Sequence, residues 1–455
     1  MFDLIVLGGG PGGYLAAERA GGAGLSVLLA EPKSLGGVCL NEGCIPSKTL
    51  LNSAKIYDHA LNGEKYGVFT TGARIDQGLV IDRKNKVVKN LVNGVKYTLK
   101  NAGVKVMNHA GTIVKRENGI VTVDIGGELF ETKNLILATG SETIVPPIPG
   151  VREGLLDGSV LTNREILDLR EIPETMVVVG GGVIGLEMAG YFQTVGTQVT
   201  VIEMLDHIAG VADGELTTML QKALEKKGIR FCLRSQVVRV GDGKVTYRDP
   251  DGNEQTAEAQ KTLLSVGRRA VTAGLGLENI GVYTERGRIV TDDKLQTNIP
   301  GIYAVGDVNG VLMLAHVAYR EAEVAVNHIL GKKDRMRYDA IPSVLYTQPE
   351  MAFVGETEES CTAKGIAYEK KTLPMSYSGR FLAENESADG IVKLLIDPKR
   401  NRLIGCHLLG SYASEIILAA GILVESQMRI DDIKEFVFPH PTVGEILREA
   451  IFAHG

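Results

Sequence analysis

Cys39 and Cys44 stand five positions apart with Leu-Asn-Glu-Gly between them, while Cys232, Cys361 and Cys406 are isolated along the chain. Two thiols this close can form a redox disulfide, hold half of a zinc site, or be inert. Zinc requires further ligands at short spacing, and the sequence holds neither a second cysteine pair nor an H-x3-H motif. Five residues of regular helix rise about 7.5 Å, beyond the Cα reach of a disulfide. A bridge therefore needs a distorted helix start, and Gly36, Gly37 and Gly43 offer that freedom. A small loop closed near a helix N-terminus would lower the pKa of its thiols and suit them to exchange chemistry. The spacing favours exchange; the zinc and inert readings stay open.

Four further side chains could serve such chemistry, each with a plainer alternative. Lys48 lies four residues after Cys44, so on a helix it shares that face and could stabilise a thiolate. Glu187 could equally be a first-turn glutamate favoured by a helix dipole. His440, between Pro439 and Pro441, is stiffly held and titrates near neutrality, as a base for dithiol oxidation must; a lone histidine is more often a surface or packed residue. Glu445 could orient His440, or could close the capping box Thr442-Val-Gly-Glu445 at the start of a helix.

The glycines show what those groups would work beside. Phe2 to Leu7 is an apolar strand run leading into Gly8, Gly10 and Gly13, and the strand run Ser26 to Ala30 ends at Glu31. The pattern recurs with Met176 to Val179, then Gly180, Gly182 and Gly185, then Gln198 to Ile202 ending at Glu203. Every matched pair is 172 positions apart, from 8 and 180 through 31 and 203. One G-x-G-x-x-G is weak; two in register, each after a strand and each with its acid, predict two dinucleotide sites. The glycines let backbone approach a pyrophosphate, the helix N-terminus supplies free N–H groups, and the glutamate accepts from ribose hydroxyls. Met204, Leu205, Asp206 and His207 follow Glu203 with no arginine for a 2′-phosphate, so NAD rather than NADP is expected at the second site.

These sites need a large α/β frame, and 455 residues with 44% hydrophobic and 23% charged residues allow one while excluding a disordered chain. A net charge of −6 gives no reason to expect a nucleic-acid partner. An odd count of five cysteines, no basic leader at the N-terminus and no apolar run near the ~18 residues of a membrane span point to a soluble protein of a reducing, cytoplasmic compartment. Strand runs stop at glycine near Gly140, Gly267 and Gly306, and Pro146, Pro147, Pro149 and Gly150 read as a crossing linker. From about Arg337 the texture changes to a hairpin, 390–397 with 402–409, and an apolar helix, 415–425, suited to a core or to an interface. The expected architecture is two Rossmann-like α/β dinucleotide-binding domains plus a C-terminal α+β dimerisation domain. Its segments are 1–142 for the first site, 143–267 for the second, 268–336 returning to the first, and 337–455 for the interface.

The run Gly36-Gly37-Val38-Cys39-Leu40-Asn41-Glu42-Gly43-Cys44-Ile45-Pro46-Ser47-Lys48 after a dinucleotide fingerprint resembles the pyridine nucleotide–disulfide oxidoreductases, and Ile45 to Leu51 most resembles those that oxidise dihydrolipoamide. Ala138-Thr139-Gly140, Val266-Gly267-Arg268-Arg269, Ala304-Val305-Gly306-Asp307 and His440-Pro441-Thr442 with Glu445 extend the resemblance along the whole chain. It implies FAD at the first site and NAD at the second. FAD would meet Gly8, Gly10, Gly13, Glu31, Lys48, Gly111, Thr139, Gly140, Asp307 and Ala315; NAD would meet Gly180, Gly182, Gly185, Glu203, Val237 and Gly267. Lys48 would pair with Glu187, Cys44 would face the flavin as a thiolate, and Cys39 would exchange with the substrate. His440, oriented by Glu445, would be the acid–base of the partner subunit, so a homodimer is implied, without metal. The implied partner is a lipoyl-bearing protein of an oxo-acid dehydrogenase or glycine cleavage system. Phe438 and Val38 depart from the usual His and Thr, and changes of rate or fit are expected from them. No N-terminal lipoyl-type domain is expected, and the missing C-terminal cysteine pair weighs against mercuric reductase and thioredoxin reductase of the large type. Rival readings are a glutathione- or mercuric-type reductase, or a mainly structural subunit of a multienzyme complex.

Overall fold

The computed structural model describes residues 1–385 and 389–454. Phe2–Leu7 is apolar along its length because both its faces are covered: Leu4 and Val6 enter one apolar cluster, Ile5 and Leu7 another. It pairs in parallel with Val27–Ala30 on one side and Glu128–Leu137 on the other, and Lys105–Met107 flanks Val27–Ala30. The first half of Glu128–Leu137 also carries an antiparallel meander with Ile120–Ile125 and Gly111–Glu117. Ile302–Ala304 returns to this sheet from far along the chain and pairs in parallel with the second half of Glu128–Leu137. That return sets Gly306 and Asp307 beside Thr139 to Ser141 (Val305 N–H donates to Leu137 O at 3.0 Å).

The second sheet is parallel throughout, in the order Arg230–Cys232, Gln198–Ile202, Thr175–Val179, Lys261–Leu264, Val160–Leu161. A separate antiparallel sheet, Gln236–Gly241 with Lys244–Arg248 and Glu254–Glu258, leans on it. The third unit is an antiparallel sheet of Ser343–Leu345, Met351–Gly355, Arg402–Leu409, Ile391–Asp397 and Glu369–Pro374. The hairpin read from the sequence is its centre. The helix Ala413–Ser426 is a core helix on one face, with Ile416, Ile417, Ala420 and Leu423 buried, while Leu418 and Ile422, one turn apart, are exposed. Among the described residues no helix is long and apolar enough to cross a membrane.

One long element has no counterpart in the sequence reading. Gln77–Asn101 is a helix capped by Asp76, whose carboxylate accepts the Leu79 N–H. Its buried Lys84 pairs with Asp168, which ties the first nucleotide unit to the second.

Candidate functional site

The two glycine-rich turns are built alike. A Cβ on Gly13 would lie 1.8 Å from Gly8 O, and one on Gly185 would lie 2.3 Å from Gly180 O, so only glycine lets each helix start so close to its strand. Glu31 accepts the Gly9 N–H and the Lys33 N–H, each at 2.7 Å. Glu203 accepts the Gly181 N–H at 2.6 Å and the Leu205 N–H at 2.8 Å. All four bonds keep the 172-residue offset (9 to 181, 33 to 205), so the repeat extends from sequence into side-chain geometry. The helices Pro11–Gly22 and Val183–Thr194 begin at Gly10 and Gly182 without a side-chain cap, which leaves N–H groups for an anion. Nothing lies within 4 Å of where a Gly182 Cβ would point. Both cradles therefore fit a dinucleotide pyrophosphate.

The other residues expected around the cofactors divide into polar and packed groups. Asp307, in the single turn Gly306–Asn309, accepts from Ser141 Oγ at 2.5 Å. Arg268 fixes that serine, donating from Nε to Oγ and from Nη2 to the Ser141 carbonyl, each at 2.8 Å. Thr139 donates to Val271 O at 2.7 Å, next to Gly140. Beneath them Glu321, fully buried, accepts the Gly306 N–H at 2.5 Å and the Tyr338 hydroxyl at 2.7 Å, and burial raises its pKa. Gly111 is buried at the start of its strand against Leu7, and Ala315 opens the helix Ala315–Ile329. Gly267 lies between the last strand of the second sheet and Arg268–Ala270. The Val237 side chain packs into the core with Val240 and Tyr247, which leaves only its backbone for a nucleotide. Ser141 and Glu321 went unread because nothing local marks them.

The cysteine segment is broken where the sequence needs it to be. The helix Gly37–Glu42 ends at Gly43, with φ −150° and ψ −108°, and Cys44–Leu61 begins at once. A Gly37 Cβ would sit 2.6 Å from Gly10 Cα, so the helix bearing Cys39 rests on the first phosphate turn. Cys39 and Cys44 are partly exposed, unbridged and in hydrogen-bond contact. The expectation of two lowered thiols is half met. The bond from Cys39 lowers Cys44 to about 7 against the effect of burial, with the Lys48 charge helping. That same bond, with burial, pushes Cys39 up. Cys44 is thus the sulfur favoured as thiolate and Cys39 the one favoured to keep its proton.

Lys48 donates to both oxygens of Glu187, at 3.0 and 2.9 Å, across 139 residues of sequence. Glu187 is almost fully buried and also accepts the Tyr346 N–H at 3.1 Å, while the Tyr346 ring lies 4.4 Å from the Lys48 ammonium. A first-turn dipole role does not explain this geometry. Tyr346 was not foreseen, and neither was the Tyr14–Tyr319 hydroxyl pair, 2.5 Å apart and within electrostatic reach of Cys39.

His440 stands 77% exposed, with Nδ1 2.7 Å from Glu445 Oε1. Oε2 of the same carboxylate accepts the Thr442 N–H at 2.7 Å, so one carboxylate serves the imidazole and the backbone at once. The hydrogen bond to His440, then that from Thr442, holds the Glu445 carboxyl below its usual range. The capping box itself does not form: the helix runs Glu445–Phe452 with Gly444 at its cap, and the Thr442 hydroxyl bonds Pro439 O at 3.0 Å. Phe438 packs against the core of the third unit. Glu445→Gln keeps an acceptor for Thr442 but loses the charge behind His440. We expect kcat per folded molecule to fall about 10–100-fold with KM changed far less, read by steady-state kinetics; a kcat unchanged once normalised to folded protein would assign Glu445 to folding alone.

The description "Pyridine nucleotide-disulphide oxidoreductase" matches residues 2–322, and that family's dimerisation domain matches residues 341–451. The chain is 37% identical to the dihydrolipoyl dehydrogenase of Mycoplasma pneumoniae, over 100% of this chain and 99% of that one. It is 38% identical to the mitochondrial dihydrolipoyl dehydrogenase of Dictyostelium discoideum, over 98% and 93%. It is also 38% identical to a leghemoglobin reductase of Vigna unguiculata, over 99% and 87%. Among solved structures, LpdA of Mycobacterium tuberculosis superimposes with a TM-score of 0.90 at 25% identity, covering 99% of each chain. The HOCl-induced flavoprotein disulfide reductase RclA of Escherichia coli does so with 0.87 at 26%, covering 100% of each.

Proposed function

Because this chain belongs to the pyridine nucleotide-disulphide oxidoreductases, we propose that it is a homodimeric, FAD-dependent dihydrolipoyl dehydrogenase, which reoxidises protein-bound dihydrolipoamide with NAD+. The observation that carries this reading is the Cys39–Cys44 pair, set on the first phosphate turn with one sulfur lowered to about 7. The segments 1–142 and 268–336 hold FAD, 143–267 holds NAD, and 337–455 joins the two subunits. The partner is a lipoyl-bearing protein of an oxo-acid dehydrogenase or glycine cleavage system, in the cytoplasm.

In the oxidised protein Cys39 and Cys44 share a disulfide. One thiol of the substrate loses its proton to His440 of the partner subunit and attacks Cys39 Sγ, which breaks the bond to Cys44 and leaves Cys44 as a thiolate. The second substrate thiol then attacks its own mixed disulfide, closing the lipoyl ring and releasing Cys39. The electron pair and one proton now reside on the cysteine pair, in the arrangement described above: Cys44 as thiolate, Cys39 as donor. Lys48 holds a positive charge near that thiolate, and Glu187 with Tyr346 fixes the ammonium. FAD, when bound at Gly8, Gly10, Gly13, Glu31 and Asp307, supplies two-electron transfer between the dithiol and NAD+. His440 is largely exposed, and that exposure fits an active site completed by dimerisation.

The test is anaerobic turnover by the purified holoprotein, with dihydrolipoamide and NAD+ in one arm and NADPH with glutathione disulfide in the other. NADH formation in the first arm alone supports the dehydrogenase. Turnover only in the second arm assigns a glutathione-type reductase instead, and turnover in neither rejects the enzyme.

A further inference from the structure

Glu203 marks where the adenosine end of the second dinucleotide lies, and no arginine follows it in sequence. The fold supplies one from elsewhere. Arg234, just beyond the neighbouring strand Arg230–Cys232, donates its backbone N–H to Leu205 O at 2.8 Å, and Ser235 donates to Glu203 O at 2.9 Å. Arg234 sits at φ +50°, in the left-handed region that suits glycine or asparagine. A long cation is therefore held in a strained position at the rim of a nucleotide site, and such outliers cluster at functional sites. Its guanidinium is exposed and reaches Asp206 Oδ2 at 3.5 Å. Asp206 Oδ1 lies 2.7 Å from His207 Nδ1, and His207 Nε2 lies 2.9 Å from Gly210 O. One carboxylate, three residues past Glu203, thus faces two cation-forming side chains, His207 from the next position and Arg234 from across the sheet.

We propose that Asp206 and Arg234 set the choice between NAD and NADP: Arg234 is a phosphate-reading guanidinium that Asp206 holds away from the adenosine 2′ position. This deepens the functional reading above and rests on it for the site's ligand. A 2′-phosphate entering here meets two carboxylates, Glu203 and Asp206, and finds its matching cation already paired. Glu203 is committed to the Gly181 and Leu205 N–H groups and to ribose. Asp206 is bonded to the His207 and Arg234 side chains rather than to the Gly181 and Leu205 N–H groups, so it is the adjustable member. Arginine recognises phosphate through paired, charge-assisted hydrogen bonds, and freeing it changes affinity most where a dianion is offered.

Asp206→Asn removes the charge and keeps the side-chain shape. The ratio of kcat/KM for NADP+ to that for NAD+ should rise about tenfold or more, and 2′,5′-ADP should bind more tightly by a similar factor relative to 5′-AMP. Adding Arg234→Ala should cancel both gains. No tightening of 2′,5′-ADP in Asp206→Asn, or a gain that survives Arg234→Ala, overturns the proposal. Binding of 2′,5′-ADP, read by calorimetry on the holoprotein, needs no dithiol. A protein that fails to oxidise dihydrolipoamide would therefore reject the functional reading while this inference is still judged.

Discussion

With Cys44 replaced by serine, oxidation of dihydrolipoamide by NAD+ should fall by at least about a thousandfold, because no disulfide remains to accept the electron pair. The holoprotein should still fold, since Cys44 is only partly buried and opens its helix without packing into an apolar cluster. The companion variants at Cys39 separate the two sulfurs. Cys44 stands at about 7 first because Cys39 donates a hydrogen bond to it, and only then because of Lys48. Cys39→Ala removes that donor, so the pH at which Cys44 becomes reactive toward iodoacetamide should move upward and alkylation at pH 7 should slow. Cys39→Ser keeps a hydroxyl donor in place and should hold the midpoint nearer 7. Equal midpoints in the two variants would show that Lys48, not Cys39, sets the thiolate.

Lys393→Met should destabilise the protein by about 3–5 kcal/mol, the usual cost of leaving a buried charge without its partner. Lys393, in the strand Ile391–Asp397, is fully buried, and its ammonium lies 2.7 Å from Asp213 Oδ1, Glu215 Oε2 and Glu358 Oε1. These three carboxylates converge as metal ligands do, and the ammonium fills their centre. Asp213, itself buried, caps the helix Gly214–Lys226 of the second nucleotide unit, so the cluster fastens that unit to the third. Burial pulls Lys393 down, but its bonds to the three acids outweigh that and leave it raised. For Glu358 burial acts upward, yet Lys393, with the bonds from Lys370 and Tyr368, outweighs it and leaves it at about 2. A depressed carboxyl contributes stability above its ordinary value of 4.5 and loses it as pH falls toward 2. Urea midpoints should therefore decline across that acid window in the parent protein and decline less in Lys393→Met. Asp213→Asn added to Lys393→Met should recover part of the loss. An unchanged urea midpoint in Lys393→Met would mean that packing alone holds the units together.

What the sequence determined lies in short segments. Glycine spacing fixes a turn because the constraint is local: Gly13 and Gly185 must be glycine wherever a helix starts that close to its own strand. The cysteine pair was legible for a like reason, since Gly43 breaks the helix within the motif itself. The repeat at 172 positions carried two cradles and their acids with no knowledge of the rest. Tertiary structure decided what the chain brings together from a distance. Glu187 reads alone as a helix-start acid, and only the packing of two units puts it on Lys48, with Tyr346 behind. Thr442 to Glu445 reads as a capping box, but Gly444 takes the cap and frees Glu445 to serve His440 and the backbone at once. No arginine follows Glu203 along the chain, whereas Arg234 arrives across the sheet. Backbone geometry is encoded by neighbours in sequence; charge pairing is encoded by neighbours in space, and a single chain of letters records only the first.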